Sequence, residues 1–416
     1  MATILGHDLS DIEFWALPWS VREDVFRALR AEQPFAFFDE PEMPGFIRGP
    51  GYHAVTRHAD VVEMSRRPEV FCSGHGAVSI LDMPPIMAEF YGSMISMDDP
   101  RHARLRGIVS RAFTPKRLQD VLDSVERTAA EVVADVAGRG EIDFTVDVAA
   151  RLPLLIIMDL LGIPRSQYDF VLTQSNIVLS DGDPEYVPDD QAEWIGAFVT
   201  AGANLATLMH ELADRRRAEP TDDLTSALVN ADVDGQQLTS AELASFFILL
   251  VAAGNETTRT ALSHGVLALS EHPEQRRRWM ADFDGLAPTA VEEIVRWASP
   301  VIWMRRTVTE PVEVGGHRFD TGDKVLLFYN SANRDETVFA DPYAFDVGRD
   351  PNPHIGFGAP GPHFCLGAHL ARREITVMFR ELFARLPDLE VSGPPAPLRS
   401  SFINGIKHLP VTFTPT

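Results

Sequence analysis

Cysteine is scarce in this sequence, and long apolar runs are absent. Only two of the 416 residues, Cys72 and Cys365, are cysteine, which argues against a disulfide framework and against a zinc site built from cysteines. No run of about 18 apolar residues occurs, and residues 1–8 lack the basic and apolar segments of a secretion signal. We therefore expect no membrane span, reduced thiols and a cytoplasmic location.

Positive charge is scarce as well. The net charge of −23 argues against nucleic acid and against anionic membrane surfaces as partners. Residues 101–117 are an exception, because they contain several basic residues and no acidic one. This basic island consists of Arg101, Arg104, Arg106, Arg111, Lys116 and Arg117. It is either a solvated helix face or a docking surface for an acidic electron-transfer partner.

Hydrophobic spacing predicts a fold that is mainly α with a minor β portion. From about residue 100, apolar residues recur at three- and four-residue intervals, as they do on a helix face. No linker or repeat divides the chain, so we expect a single domain over residues 1–416. Residues 409–414 are predicted to form an edge strand. The β-containing part comprises roughly residues 1–95 and 301–330, and the helical part roughly residues 96–300 and 366–390.

Cys365 lies between an irregular loop and a helix-forming segment. Glycine and proline in residues 357–364 favour an irregular backbone, and roughly 35 residues without a helix or strand pattern precede the cysteine. The unpaired N–H groups and the dipole at a helix N-terminus favour a thiolate over a thiol. A thiolate on a rigid loop can bind haem iron as its axial ligand.

Two alternative interpretations of the same segment are weaker. Free cysteine is often a buried and unreactive core residue, although a Gly-rich loop is an unusual place for one. Gly356, Gly358 and Gly361 also have the spacing of a dinucleotide-binding fingerprint. That fingerprint needs a preceding strand and a βαβ unit, whereas residues 350–354 before it show no strand pattern.

A long helix is predicted to begin at a capping box made by Thr239 and Glu242. Its middle is apolar on all sides and should be buried, but polar residues follow abruptly at Glu256 and Thr257. The Thr257 hydroxyl can bond back to the carbonyl of Ala253 and help to open a kink that holds water. The alternative is a helix that emerges into solvent at Glu256.

Together these segments resemble the bacterial cytochrome P-450 monooxygenases. Residues 357–367 are similar to the haem-binding signature of that family, with one more residue than usual between Phe357 and Cys365. Either Gly358 or Gly361 then makes the tight turn. The resemblance implies the cytochrome P-450 fold, in which haem b lies between a long central helix and the helix after the cysteine, with Cys365 as the iron ligand. It also implies a reaction that inserts one oxygen atom of O2 into an unactivated C–H bond.

The resemblance gives roles to further residues. Residues 253–258 are similar to the oxygen-activation motif of the family, so Glu256 and Thr257 would relay protons. The residues that would contact the haem are Ala253, Phe357 and Gly367. Those that would bind its propionates, which need cationic or donor partners when buried, are His102, Arg106, Arg306 and His363, with Arg305 as an alternative to Arg306. The structural triad that would lock the loop before the cysteine consists of Glu293, Arg296 and Arg349.

The resemblance also implies electron-transfer partners. Electrons would come ultimately from NAD(P)H through a separate ferredoxin reductase and ferredoxin, because 416 residues leave no room for a flavin or iron–sulfur module. The basic island would dock the ferredoxin near Arg101, Arg104 and Arg111. We expect the enzyme to be a monomer.

The segments that contact substrate in this family are mainly apolar here, which predicts an apolar small-molecule substrate. The candidate pocket residues are Val301, Ile302, Trp303, Met304, Phe402 and Ile403. The alternative is that some of them only fill the core. Residues 398–410 resemble those of bacterial members that hydroxylate sterols, branched lipids or terpenoids. A hydroxylase of macrolide-type secondary metabolites and a non-catalytic haem-binding sensor are the alternative functions.

Overall fold

Helices supply most of the ordered backbone, as the three- and four-residue apolar spacing predicts. The structure, a computed structural model, describes residues 3–43, 48–112, 115–231 and 237–416, with the backbone alone for residues 115–118. The α-helices are α1 (Ile12–Trp15), α2 (Trp19–Glu32), α3 (His58–Ser65), α4 (Pro85–Gly92), α5 (Arg101–Ala112), α6 (Pro115–Ala137), α7 (Arg151–Leu161), α8 (Tyr168–Leu179), α9 (Gln191–Ala218), α10 (Leu224–Val229), α11 (Ser240–Glu271), α12 (Pro273–Ala281), α13 (Phe283–Ala298), α14 (Tyr329–Ala332) and α15 (Ala368–Arg385).

Short strands form most of the remaining regular structure, beside short 3-10 helices at Ser93–Ser96 and Arg165–Gln167 and a π-helical turn at Thr145–Ala149. The strands are β1 (Phe37–Phe38), β2 (Tyr52–Val55), β3 (Phe71–Cys72), β4 (Glu141–Asp143), β5 (Trp303–Val308), β6 (Val312–Val314), β7 (His317–Phe319), β8 (Lys324–Phe328), β9 (Glu390–Val391), β10 (Ala396–Pro397), β11 (Ile406–His408) and β12 (Pro410–Thr412). The predicted class, mainly α with a minor β portion, is confirmed.

Proximity of Cα atoms divides the chain into two compact units. The first consists of Met1–Pro85, Thr260–Ala368 and Pro394–Leu409, and the second of Ile86–Arg259, His369–Gly393 and Pro410–Thr416. The first unit contains most of the predicted β-containing part and, in addition, the end of α11 and the loop of Cys365. The single domain over residues 1–416 stays a prediction.

Apolar side chains cover both faces of the main sheet of the first unit. The strand order is β1-β2-β8-β5-β3, with β2 and β8 parallel and the other pairs antiparallel. Side chains of β8 alternate between two hydrophobic clusters, because Leu326 and Phe328 pack in one while Val325 and Leu327 pack in the other. This burial on both faces explains why residues 325–328 form a continuous apolar run.

Helix pairs and a small sheet build the second unit. Helix α6 packs against α7, and α8 packs against α9. The sheet has the order β4-β12-β9, so the segment predicted as an edge strand forms the central strand. The edge prediction is wrong because Val411 pairs with both Ile142 and Val391. These partners lie in distant segments, which the spacing within one strand cannot reveal.

Helix α11 begins at the predicted capping box. The N–H of Thr239 donates to Oε2 of Glu242 at 2.9 Å, and the N–H of Glu242 donates to Oγ1 of Thr239 at 3.1 Å. The capping box is therefore confirmed, and the helix extends to Glu271. Across the described residues, every helix falls short of the length or the apolar character that a membrane crossing requires.

Candidate active site

Two glycines with different roles fix the loop before Cys365. Gly358 has a φ of +87°, a left-handed conformation that glycine tolerates, and its N–H donates to the carbonyl oxygen of Ile355 at 2.9 Å. A Cβ atom on Gly361 would lie 2.4 Å from the carbonyl oxygen of Ser65, so glycine allows a close approach there. Gly358 therefore makes the tight turn, and Gly361 packs against neighbouring backbone.

The thiol of Cys365 is exposed at the end of this loop. The N–H of Cys365 donates to the carbonyl oxygen of Phe357 at 3.0 Å, which closes the loop, and α15 begins shortly afterwards at Ala368. A Cβ atom on Gly367 would lie 4.0 Å from Sγ. The interpretation as a buried core cysteine therefore fits Cys72, which is 8% exposed, and does not fit Cys365.

The surroundings of Cys365 fit a haem group. Phe364 and Leu366 on either side are each 39% exposed, so the loop presents an apolar surface around the sulfur. A planar, apolar porphyrin with its iron bound to the sulfur would cover such a surface. The dinucleotide alternative has no support, because the described segment 350–354 forms no strand.

A partly exposed stripe interrupts the buried surface of α11. It consists of Leu250, Ala253, Gly254 and Thr257, which share one helix face because they are three and four residues apart. A Cβ atom on Gly254 would lie 2.7 Å from Cδ1 of Ile157, so glycine lets α7 pack closely here. Gly254 thus faces α7, whereas the small side chain of Ala253, the most exposed residue of the stripe, leaves a shallow surface that can accommodate a planar group.

The hydroxyl of Thr257 lies on this stripe. It donates to the carbonyl oxygen of Ala253 at 2.6 Å, so the predicted bond to the preceding turn is confirmed. The carbonyl of Ala253 thereby has a side-chain donor in addition to its place in the helix, an arrangement that bends helices. A hydroxyl in this position can hold a proton and pass it on to a group that lies against the stripe.

Glu256 lies on a different side of α11 and is buried, with an exposed fraction of 2%. Its carboxylate forms an ion pair with Arg259, and Arg259 also donates to Oδ1 of Asn176 at 3.1 Å. The alternative in which the helix emerges into solvent at Glu256 is therefore wrong. The side chains of Glu256 and Thr257 are not brought together, because consecutive residues of an α-helix point in directions about 100° apart.

Arg259 is a residue of the site that the sequence reasoning missed. The sequence did contain a signal for this pair, because Arg259 is three positions after Glu256, which is a helical ion-pair spacing. Burial alone would lower the pKa of Arg259, but the Glu256 carboxylate and Tyr186 outweigh burial and hold this pKa above its ordinary value. The guanidinium therefore stays charged and fixes the position of the Glu256 carboxylate.

A second buried carboxyl group lies on α15. Glu374 is 3% exposed, and burial raises its pKa to about 8, while a hydrogen bond from Thr258 offsets part of this effect. The group is therefore protonated and uncharged at neutral pH. Because Thr258 follows Thr257 in the chain, an uncharged acid contacts α11 next to the residue predicted to relay protons.

The predicted propionate ligands occur in both units. In the second unit, His102 and Arg106 are one turn apart on α5, and His102 is 3% exposed with Nδ1 3.3 Å from Oδ1 of Asp99. In the first unit, His363 is half-buried in the loop of Cys365. All three side chains carry N–H donors, which is the chemistry that a propionate requires.

The adjacent Arg305 and Arg306 point to opposite faces of β5 and have different partners. Arg305 donates to Oδ1 of Asp82 at 2.7 Å and to the carbonyl oxygens of residues 79–81. Arg306 is 6% exposed and donates to the carbonyl oxygen of Arg305 at 2.7 Å. Because Arg305 is engaged in a network of the first unit, Arg306 is the better candidate for a propionate.

Glu293 joins the two arginines of the predicted triad. Its carboxylate accepts from Arg296 at 2.7 Å and from Arg349 at 3.1 Å, and both Glu293 and Arg296 are fully buried. The two arginines also donate to backbone carbonyls of the loop between residues 333 and 344. The three side chains thus fix the irregular segment that leads to Cys365.

Two of the three arginines predicted to dock a ferredoxin have carboxylate partners. Arg101 forms a bidentate pair with Glu89 at 2.6 and 3.0 Å, and Arg104 donates to Glu242 of the capping box at 2.8 Å. Arg111 is exposed. The other two members of the basic island, Lys116 and Arg117, have side chains outside the described part of the structure.

Three of the six candidate pocket residues belong to the core of the first unit. Ile302, Trp303 and Ile403 are 1%, 2% and 2% exposed, and the Trp303 ring packs against the Phe402 ring at 5.1 Å between centroids. Core packing therefore explains these three side chains. The candidates that are partly exposed, and could contact a substrate, are Val301, Met304 and Phe402.

Comparisons with known proteins identify the class of enzyme. A family model for cytochrome P450 matches residues 203–289 and 285–387. A methyl-branched lipid omega-hydroxylase of Mycobacterium tuberculosis is 51% identical over 99% of this chain and 95% of its own length. A steroid C26-monooxygenase of Mycolicibacterium smegmatis is 39% identical over 93% of this chain and 89% of its own length. The chain therefore belongs to the cytochrome P450 family, and the predicted monooxygenase class is confirmed.

A solved structure agrees with this assignment. A cytochrome P450 of Mycobacterium marinum in complex with pseudoionone is 42% identical, with a TM-score of 0.92 over 99% of this chain and 100% of that chain. The predicted cytochrome P-450 fold is therefore confirmed. Membership of the family implies that the enzyme uses haem and O2.

Replacing Glu374 by glutamine should remove a pH dependence of the free energy of unfolding. The pKa of Glu374 in the folded protein, about 8, lies above its ordinary value of 4.5. The folded state therefore binds this proton more tightly than the unfolded state, so the stability of the wild type should fall as pH rises from about 5 to about 8. The loss should amount to several kcal/mol, and Glu374→Gln should not show it.

Urea unfolding of the haem-loaded protein at pH 5, 6.5 and 8 measures this difference. Glu381→Gln is the matched control, because Glu381 lies on the same helix but its side chain is 23% exposed and paired with Arg385. The control should keep the pH slope of the wild type. An equal slope in Glu374→Gln would contradict the raised pKa.

Proposed function

We propose that this protein hydroxylates a methyl-branched lipid, or a related apolar molecule of the sterol or terpenoid class, as a haem-thiolate monooxygenase. The observation that carries the proposal is the exposed thiol of Cys365 on a loop fixed by Phe357 and Gly358. The substrate class is supported by the names of the relatives, one for a methyl-branched lipid at 51% identity and one for a steroid at 39%. The higher identity makes a methyl-branched lipid the first candidate.

The resident cofactor would be haem b, with Cys365 as the iron ligand. When bound, this group supplies the iron at which O2 is activated for insertion into a C–H bond. The residues that would contact the ring are Ala253, Phe357 and Gly367. Those that would bind the propionates are His102, Arg106, Arg306 and His363. Arg305 is not needed for this role, because Asp82 already binds it.

Thr257 and Glu256 would divide the delivery of protons between them. The Thr257 hydroxyl, on the exposed stripe of α11, would hold a proton close to the reacting oxygen. The Glu256 carboxylate, on a buried side of the helix, would take up protons and pass them on. Because the two side chains point in different directions, water would connect them, and protonation of Glu256 would weaken its ion pair with Arg259.

The partly exposed side chains of Val301, Met304 and Phe402 would contact the substrate in the first unit. A methionine adapts its shape to irregular apolar molecules, and an aromatic ring offers a flat apolar face. These contacts favour branched hydrocarbon over charged groups. They would select the substrate by shape rather than by an ion pair.

Electrons would reach the haem from NAD(P)H through a ferredoxin reductase and a ferredoxin. Docking at the basic island would depend mainly on Arg111, because Glu89 and Glu242 offset the charges of Arg101 and Arg104. The cytoplasmic location and the monomeric state stay predictions.

Cys365→Ser should abolish the thiolate signature of the haem. With carbon monoxide, the reduced wild type should show the strongly red-shifted Soret band of thiolate ligation, since the sulfur donates electron density to the iron. Cys72→Ser is the matched control, because Cys72 is buried, and it should keep the band. A Cys365→Ser protein with an unchanged band would contradict the ligand assignment.

Thr257→Ala should keep haem and substrate binding but release hydrogen peroxide in place of product. A positioned proton donor typically contributes ~10²–10⁴-fold to a rate, so hydroxylated product per NAD(P)H should fall by at least about tenfold. Thr257→Ser retains the hydroxyl and should retain most of the product yield. Equal yields in all three proteins would argue against the relay.

A titration of apolar molecules against the haem spin-state shift tests the substrate class. Methyl-branched fatty acids or alcohols should bind more tightly than sterols, terpenoids or macrolides, and turnover with ferredoxin and its reductase should place a hydroxyl group on the lipid. Tightest binding of a macrolide would favour the secondary-metabolite alternative. Tight binding without turnover would favour a sensor.

A further inference from the structure

A small cavity in the first unit is lined by buried arginines. Its volume is about 40 Å³, and the arginines in its wall are Arg22, Arg30 and Arg334. A space of this size holds a few water molecules or one small ion. Arg22 of α2 is 6% exposed and Arg334 is 7% exposed, so both residues are almost fully buried.

Arg22 lacks a counterion among the described residues. Within the described part of the chain, no carboxylate lies within ion-pair distance of its guanidinium, and its buried Nε has no hydrogen-bond acceptor. The ring of Trp19, 5.8 Å from Cζ of Arg22, gives a cation–π contact, which does not neutralise a charge. Burial lowers the pKa of Arg22 to about 10, and Glu23 raises it only in part. At neutral pH a largely buried positive charge therefore has no carboxylate partner among the described residues, and its Nε–H has no acceptor there, which is unfavourable.

Arg334 brings a second positive charge to the same wall. It donates to the carbonyl oxygens of Arg296 and Trp297 at 3.1 and 2.9 Å. Its Nε lies 3.5 Å from the Glu23 carboxylate, too far for a good hydrogen bond. Burial and the neighbouring Arg296 lower the pKa of Arg334 to about 10. Glu23 is thus the carboxylate close to both Arg22 and Arg334.

The charges of the wall do not balance. Arg30 is paired at 2.9 Å with the Glu336 carboxylate, which also lies 3.8 Å from Nε of Arg27. Among the described residues of the wall, Glu23 is left to balance both Arg22 and Arg334. His264 nearby adds no charge at neutral pH, because burial and these two arginines lower its pKa to about 4. One positive charge remains in excess.

We infer that this cavity binds a small inorganic anion of the halide class between the guanidinium groups of Arg22 and Arg334. A halide supplies both the missing acceptor and the missing negative charge, whereas water supplies only the acceptor. The inference does not depend on the proposed function. It bears on the site nevertheless, because Arg334 bonds to the last turn of α13, the helix that carries Glu293 and Arg296 of the triad.

Thermal unfolding of the haem-loaded protein in chloride and in gluconate, at equal ionic strength, tests the inference. Gluconate is too large for the cavity, so chloride alone should raise Tm, by a few degrees and in a saturable way. Arg22→Met should abolish this difference and should be at least as stable in gluconate as the wild type, since it removes the unbalanced charge. Arg22→Lys keeps the charge without the planar fork and should retain part of the effect.

Arg318→Met is the matched control, because the Arg318 side chain is 74% exposed and paired with Asp320. It should keep the full chloride effect. Equal Tm values of the wild type in the two salts would overturn the inference, and so would an undiminished chloride effect in Arg22→Met.

Crystals of the wild type grown in bromide give a second readout that does not require a variant to fold. An anomalous peak within hydrogen-bond distance of Arg22 and Arg334 is expected. A water molecule in that position, or bromide elsewhere on the surface as an adventitious ion only, would contradict the assignment.

Discussion

One buried carboxylate, that of Glu293, supports the segment that positions the sulfur. The loop before Cys365 has little helix or sheet, so its carbonyl oxygens need donors from elsewhere. Arg296 and Arg349 supply these donors, and Glu293 balances their charges in a fully buried position. Removing one partner of a buried ion pair typically costs about 3–5 kcal/mol. The geometry around Cys365 therefore depends on a carboxylate of another element, α13.

Arginine suits this task better than lysine does. A guanidinium presents five N–H donors in one plane, so a single side chain can bind a carboxylate and several carbonyl oxygens together. Arg305 repeats the arrangement with Asp82 and the carbonyl oxygens of residues 79–81. The composition shows the same preference for arginine over lysine. Of the 37 lysines and arginines, the lysines are Lys116, Lys324 and Lys407 alone.

Features that depend on neighbouring residues could be predicted from the sequence. The capping box of α11 and the bond from Thr257 to the preceding turn follow from spacing, which determines geometry within a helix. Contacts between distant segments could not be predicted. Arg259 and Asn176 are 83 positions apart, and the central place of β12 depends on two remote strands. Apolar composition likewise could not separate Trp303 of the core from Met304, because a core and a pocket wall are both apolar.

Buried arginines among the described residues differ in whether a carboxylate of the chain lies beside them. Arg259, Arg296 and Arg305 each have a carboxylate of the chain beside them, and their role is to hold elements in place. Arg306 and Arg22 are equally buried but have no carboxylate within ion-pair distance among the described residues. A charge in that position is unfavourable unless an anion from outside the chain joins it. The same electrostatic rule thus supports a propionate at Arg306 and an inorganic ion at Arg22.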